Sequence, residues 1–356
     1  MLQRRKTREI RIGRHKIGGH NPILVQSMTS TLTEDLNGTL AEIQRLEAAG
    51  CEAVRVACPN DAAAANLSAI KKAISIPLIA DIHFSHRLAL MAIEAGVDKV
   101  RLNPGNIGGK KKVQEVTRAA NDRGVSMRIG VNSGSIEKDL LEKYGWPSPE
   151  SMVESAMRHV EMLEELGFYE FCISIKSTDC RTLLEANREL ARRCEYPLHL
   201  GVTEAGLPGY GSLKSAVGLG SLLMDGIGDT IRVSLASDPV EEIPVCFDIL
   251  KATGRRVVSP ELIACPTCGR IEIDLQKLVN DVKARVEAKH PTLPVKISIL
   301  GCVVNGPGEA SEADIGIAGG KGSGVLYRGG KQLKVVKEHE LLDALMEEVE
   351  ALPRGA

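Results

Sequence analysis

Between about residues 21 and 236 a short β-rich run ending in a polar or charged residue recurs, and amphipathic stretches fill the spaces between. The runs are Ile23–Ser27, Ala53–Ala57, Leu78–Ile82, Lys99–Leu102, Ser126–Val131, Phe171–Lys176, Leu198–Glu204 and Thr230–Leu235. The spacers include Leu40–Ala49, Arg87–Ala95, Val113–Arg123, Ser151–Leu166, Thr182–Cys194 and Leu213–Asp225, and several close on a glycine (Gly50, Gly96, Gly124, Gly167), the expected helix stop. Eight strands alternating with helices over roughly 250 residues predict an α/β fold of the (β/α)8 TIM-barrel type. A doubly wound open sheet is the alternative, but no strand is followed by its Gly-rich dinucleotide fingerprint.

The texture changes after Ala252–Pro260, which reads as a linker. Residues 1–258 are assigned to the barrel and 259–356 to a smaller α+β domain. In the latter, Leu262–Ala264 and Val295–Leu300 are strand-like, and Asp274–Lys289 and Glu338–Leu352 helical. A length of 356 residues suits two domains.

The net charge is −1 and aromatics make up 3%, which argues against a broad nucleic-acid footprint or base-stacking platforms. The start is basic (Arg4, Arg5, Lys6, Arg8, Arg11, Arg14, Lys16) without the apolar run of a signal peptide, and reads as a solvated arm. No segment has the roughly 18 apolar residues of a membrane span, so the expected location is the cytoplasm. There, nine cysteines are thiols or metal ligands rather than disulfides.

Five barrel runs carry a cation within apolar sequence: Arg55, Arg101, Arg128, Lys176 and Arg232. A buried cation is costly unless paired, and the C-terminal strand ends of a barrel form its functional face. Asp81 and Glu204 are the obvious partners, and two acids do not neutralise five cations. The surplus predicts an anion site, with a diphosphate as the kind of ligand that absorbs it. Asn103 and Asn132 add neutral donors at the same rim. Asp81 and His83 on one strand face, and Glu204 after Thr203, are candidate proton carriers.

The second domain holds Cys265-Pro-Thr-Cys268 and Gly301-Cys302-Val-Val-Asn-Gly-Pro-Gly-Glu309. A Cys-x-x-Cys pair alone fits zinc, an iron–sulfur cluster or a redox dithiol. A dithiol normally opens a helix in a thioredoxin-like unit. Structural zinc wants a fourth N/S ligand, and His290 and His339 sit in no suitable turn. Three thiols and a carboxylate in Gly/Pro-rich turns suit a cluster with one open corner. Cys51, Cys172, Cys180, Cys194 and Cys246 read as small hydrophobes, and Cys58 as a rim residue without a role.

With these stretches in view, the chain closely resembles the 4-hydroxy-3-methylbut-2-enyl diphosphate synthase family of the methylerythritol phosphate route to isoprenoids. The resemblance rests on Val25-Gln-Ser-Met-Thr29, Val54-Arg-Val-Ala57, Asp81-Ile-His83, Arg101-Leu-Asn-Pro-Gly-Asn-Ile-Gly108, Arg128-Ile-Gly-Val-Asn-Ser-Gly134, Ser174-Ile-Lys-Ser177 and Leu200-Gly-Val-Thr-Glu-Ala205, together with both cysteine segments. It implies a barrel joined to a cluster domain, with a [4Fe–4S] cluster held by Cys265, Cys268, Cys302 and Glu309. The implied reaction is reductive opening and dehydration of 2-C-methyl-D-erythritol 2,4-cyclodiphosphate, with electrons from flavodoxin or ferredoxin. Arg55, Arg101, Asn103, Arg128, Asn132, Lys176, Thr203, Arg232 and Ser234 would hold the substrate, and Asn305 would touch it from the cluster loop. Asp81, His83 and Glu204 would line the reacting end, Glu204 as proton donor. A homodimer with a shared active site is implied, with neither nucleic acid nor membrane as partner.

Overall fold

In a computed structural model, residues 3–352 are described, and by contact the chain falls into two compact units, Met1–Arg256 and Val257–Ala356. The first is a barrel. Its strands are β3 (Leu24–Met28), β4 (Ala53–Ala57), β5 (Leu78–Asp81), β6 (Lys99–Arg101), β7 (Ser126–Asn132), β8 (Phe171–Lys176), β9 (His199–Leu200) and β10 (Thr230–Ile231). They form one eight-stranded sheet, ordered β8-β7-β6-β5-β4-β3-β10-β9, with every pairing parallel. A parallel bridge between Ile173 and Leu198 closes β8 onto β9. The expected barrel is therefore observed.

Helices cover the outside: α1 (Leu36–Ala48), α2 (Asp61–Ala73), α3 (His86–Glu94), α4 (Lys110–Arg123), α5 (Lys138–Tyr144), α6 (Pro149–Glu165), α7 (Cys180–Arg193), α8 (Tyr210–Met224) and α9 (Glu242–Ala252). Their starts follow local chemistry. The side chains of Asp35, Asn60, Ser85 and Asp179 each accept a backbone N–H in the first turn, and Ser148 with Ser151 forms a reciprocal capping pair. Gly124, at φ 64°, ends α4 in the left-handed conformation that a Cβ disfavours.

The basic start is not a free arm. β1 (Ile10–Ile12) and β2 (His15–Ile17) form an antiparallel hairpin. Its Ile10, Ile12 and Ile17 pack against Leu24, Ala53, Ile79 and Cys172, residues at or near the N-terminal ends of barrel strands. The hairpin thus seals the barrel floor. Arg4 pairs with buried Asp229 at 2.8 Å, Arg5 donates to the carbonyls of Ala191 and Cys194, and Arg8 lies 5.1 Å from the Tyr196 ring centroid. Charge count alone suggested solvation, but these guanidiniums cap carbonyls and an acid beneath the barrel.

The second unit has a five-stranded sheet ordered β11-β12-β13-β14-β15: Glu261–Ala264, Lys296–Leu300, Ile315–Gly320, Ser323–Arg328 and Lys331–Lys337. The first three strands run parallel and the last two pair antiparallel. α10 (Leu275–Lys289) and α12 (Leu341–Glu350) share a core with Ile297, Ile299, Ile315, Ile317 and Leu326. Short α11 (Gly306–Ser311) packs against β13, where Ala310 meets Ala318 and Tyr327. Strands β11 and β12 and both long helices were expected. β13, β14, β15 and α11 were not.

Candidate active site

At the C-terminal mouth of the barrel a cavity of about 290 Å³ is lined by Arg55, Asp81, His83, Arg101, Arg128, Asn132, Ser174, Lys176, Thr203, Arg232 and Ser234. All five cations expected to converge do so, each from a different strand or from the residue directly after one. Asp81 is shared: Arg101 Nη1 lies 3.2 Å from its Oδ1 and Arg55 Nε 3.5 Å from its Oδ2. Arg232 is held by Glu242, through two contacts of 3.1 Å to its carboxylate. Glu242 is buried at the start of α9 and also accepts the Ser27 hydroxyl at 2.8 Å. Glu242 therefore takes the partner role expected of Glu204. Sequence reasoning missed it because only the return of the chain after β10 brings it under Arg232.

Arg128 and Lys176 form no ion pair among the described residues, and both are buried. Burial pulls the Arg128 and Lys176 pKa values well below their ordinary ranges, and the neighbouring cations add to the effect. Burial likewise brings Arg55 down to about 10. For Asp81, burial would raise the pKa, but Arg55, Arg101 and Arg128 together outweigh it and hold the carboxyl below its usual value. His83 is pushed down by burial and then by Arg101, Arg55 and Arg128 against the pull of Asp81, so its ring is neutral near pH 7. Arg101 Nη1 approaches its Nδ1 at 3.0 Å.

Two glycines make the crowding of cations possible. A Cβ at Gly130 would stand 2.6 Å from Arg101 Nε, and one at Gly201 2.5 Å from Lys176 Nζ. A side chain at either position would force those cations to shift.

The remaining expected residues are placed differently. Asn103 is buried beside the cavity rather than lining it, and its Oδ1 accepts the Gly130 N–H at 2.8 Å. Glu204 is exposed on the loop after β9, outside the lining, and is the one non-glycine residue with positive φ (51°) among those described. A left-handed backbone there is a strain that tertiary structure must hold in place. Cys58 is buried and lines no cavity described here, and burial raises its thiol to about 11.

In the second unit, β11 and β12 are adjacent and parallel, with Ala264 level with Ile299. Cys265 and Cys302 consequently leave the sheet at the same end, where ligands of open α/β sheets gather. A cavity of about 260 Å³ there is lined by Cys265, Cys268, Arg270, Cys302, Asn305, Gly306 and Glu309, among others. Glu309 lies in the first turn of α11, not in an irregular loop. Gly306 is required because a Cβ would meet that of Ala318 at 2.8 Å. The Gly301 N–H donates to Cys265 Sγ at 3.2 Å, and hydrogen bonds from Arg270 lower the Cys268 thiol. The latter favours a thiolate at Cys268. Among the described residues no three His, Cys, Asp or Glu side chains stand close enough to share a single metal ion. Donors spread around one cavity suit a multi-iron cluster, in which each ligand holds a different iron. The other cysteines, Cys51, Cys172, Cys180, Cys194 and Cys246, lie outside both cavities.

A barrel with a cationic mouth, joined to an α+β unit with a thiol-lined cavity, defines a class of two-domain barrel proteins built for anionic substrates. The chain belongs to the GcpE family: the GcpE TIM-barrel domain matches residues 7–247 and the GcpE protein C-terminal domain matches 261–351. A 4-hydroxy-3-methylbut-2-en-1-yl diphosphate synthase (flavodoxin) of Geobacillus thermodenitrificans is 53% identical over 355 residues, 99% of this chain and 94% of that protein. A protein of the same description from Symbiobacterium thermophilum is 53% identical over 350 residues, 98% of this chain and 94% of its own length. Among solved structures, 7,8-dihydropteroate synthase of Vibrio fischeri superposes with a TM-score of 0.50 at 12% identity, over 69% of this chain and 97% of that one. That likeness is one of fold alone.

Proposed function

We propose that the chain is an iron–sulfur oxidoreductase that reductively opens 2-C-methyl-D-erythritol 2,4-cyclodiphosphate and dehydrates it to 4-hydroxy-3-methylbut-2-enyl diphosphate. The observation that carries this reading is the union, in one GcpE-family chain, of a barrel mouth with unpaired cations and a cavity lined by three thiols and a carboxylate. The balanced step takes up two electrons and one proton: a ring C–O bond to the diphosphate breaks and a hydroxyl departs as water.

In this reading Arg128 and Lys176 take the diphosphate charge first, because they lack internal partners. Arg55, Arg101 and Arg232 complete the cradle, and Asn132, Thr203 and Ser234 add neutral donors. Asn103, whose Oδ1 is already used, offers its amide N–H. Asp81 and neutral His83 orient the sugar end, Glu204 delivers the proton from its exposed loop, and Asn305 reaches the substrate from the cluster turn. Cys265, Cys268, Cys302 and Glu309 would hold a [4Fe–4S] cluster, which supplies electrons and a Lewis-acidic iron. Glu309 is the ligand that yields most readily, since a carboxylate leaves iron more easily than a thiolate.

Flavodoxin is the proposed electron donor, after the description of the relatives, with ferredoxin as the substitute. The proposed working form is a homodimer in which the cluster turns of one subunit serve the barrel mouth of its partner, and the proposed compartment is the cytoplasm. No helix among the described residues is long and apolar enough to cross a membrane.

The test is anaerobic purification with metal analysis, followed by turnover of the cyclic diphosphate with and without reduced flavodoxin. Brown protein with about four irons per chain and strictly reductant-dependent product is expected. Colourless protein carrying one zinc would sink the reading. Turnover without a reductant would reassign the chain to non-redox dehydration. Cys302→Ala should lose colour and turnover together, whereas Glu309→Cys should keep a cluster and turn over poorly.

A further inference from the structure

Beneath the mouth cavity, beside the buried part of Arg128, the barrel interior holds three further polar side chains, Lys99, Gln26 and His199, for which the proposed reaction has no use. Lys99 on β6 is 0% exposed, and among the described residues its ammonium makes a single long hydrogen bond, 3.5 Å, to Gln26 Oε1 on β3. Gln26 and His199 are also 0% exposed and Arg128 is 2% exposed. Four atoms of this set are buried without a partner: Gln26 Nε2, Arg128 Nε, Arg128 Nη1 and His199 Nε2.

Three of the four, the Arg128 and Gln26 atoms, are donors by constitution. The Thr230 hydroxyl lies 2.7 Å from His199 Nδ1, and His199 Nε2 joins the donors in the tautomer in which that hydroxyl donates to Nδ1. Lys99 contributes an ammonium, and Lys99, Arg128 and His199 each lie within the electrostatic reach of the others.

No acceptor among the described residues answers them. Cys172 is a buried neutral thiol, with its pKa raised by burial. Asp81 is committed to Arg55 and Arg101, and Asp229 to Arg4 and the Leu198 N–H. Buried donors rarely remain unpaired, and water, itself half donor, leaves the charge of Lys99 and Arg128 uncompensated.

We propose that Arg128, Lys99, His199 and Gln26 form a small-anion site at the base of the barrel cavity. Its ligand is a monoanion of halide size, separate from the diphosphate above it. The anion neutralises Lys99 and takes the Nε and Nη1 donors of Arg128, so that the remaining edge of that guanidinium, with Lys176 and the other mouth arginines, meets the substrate.

The test uses the full-length protein crystallised from bromide, with and without bound inorganic diphosphate. Its companion is thermal melting in sodium chloride against sodium gluconate at equal ionic strength. Expected are an anomalous bromide peak within hydrogen-bond distance of Arg128 Nε or Nη1 and Lys99 Nζ, retained when diphosphate binds above. Chloride should raise Tm by roughly 3 °C over gluconate, a difference that Lys99→Met abolishes. A water in place of the peak, or equal melting in both salts, overturns the proposal. So does loss of the peak on diphosphate binding, which would make these donors part of the substrate site. Diphosphate binding itself is read independently in the same crystals, so failure of the small-anion site leaves the proposed reaction standing.

Discussion

Glu204 shows backbone and side chain in conflict at a single residue. Its φ of 51° is left-handed, which costs a non-glycine residue about 1 kcal/mol. Glu204→Gly should therefore raise unfolding stability by about that amount while abolishing turnover, and Glu204→Gln should leave stability unchanged and abolish turnover too. Full activity in Glu204→Gln would remove it as proton donor. Lys176 carries the opposite balance, as a buried cation without an ion-pair partner. Lys176→Met should melt higher than wild type yet bind diphosphate on the order of 100-fold more weakly, measured by calorimetry. Lys99 gives a pH test. Burial lowers its pKa from 10.5 to about 8, so the unfolded chain binds more protons between those values. Stability must then rise with pH across that window, by about 3 kcal/mol. Urea unfolding of wild type and Lys99→Met in halide-free buffer at both ends should show a rise larger in wild type by about that amount, the remainder coming from the other buried cations. At this scale the five mouth cations were legible, because a charge inside an apolar strand is conspicuous. Lys99 was not, since it opens its strand directly after Asp98 and is not enclosed by apolar residues on both sides as Arg101 is. Only the inward pleat of β6 separates it from the surface.

Among elements, the agreement is closest where regular ladders persist. Ala53–Ala57 and Phe171–Lys176 are strands over the expected residues. Leu198–Glu204 and Thr230–Leu235 shrink to two paired residues each, because the chain leaves the ladder to build the mouth. There Thr203 N–H reaches the Ser177 carbonyl at 3.3 Å and Ala236 N–H that of Gly206 at 2.9 Å. Hydrophobic pattern does not encode such departures. Nor did it reveal β13 and β15, one glycine-rich and the other lysine-rich and mostly exposed, which take strand form by pairing with β14. Gly201→Ala probes the crowded mouth. Its methyl would meet Lys176 Nζ at 2.5 Å and the Arg232 carbonyl at 2.9 Å. A stability loss of about 1–3 kcal/mol by denaturant titration, with a raised KM, is expected. Unchanged values for both would show that the mouth is looser than its geometry.

For the whole molecule, the dimer expected from the family resemblance gains a physical handle in α8. Tyr210, Leu213, Val217 and Met224 are 72%, 66%, 58% and 49% exposed, at helical spacings that line up along its outer side. This stripe is the apolar face that the proposed homodimer would bury. Leu213→Arg with Val217→Glu should give monomers in analytical ultracentrifugation. If the active site is shared, mixing Cys302→Ala with Lys176→Met dimers and allowing exchange should restore part of the turnover that each lacks. No recovery after demonstrated exchange would place both half-sites in one subunit. A change of texture near residue 260 is legible in the sequence, whereas the sealed floor was hidden because its isoleucines alternate with basic residues. That floor also has a consequence for biosynthesis. Arg4 and Asp229 are 225 residues apart, and the hairpin isoleucines pack on Cys172. As the chain emerges from the ribosome, residues 4–17 must wait for most of the barrel before their partners exist. Ile10, Ile12 and Ile17 are therefore exposed apolar surface for much of translation, a stretch that a chaperone has reason to hold until β10 arrives.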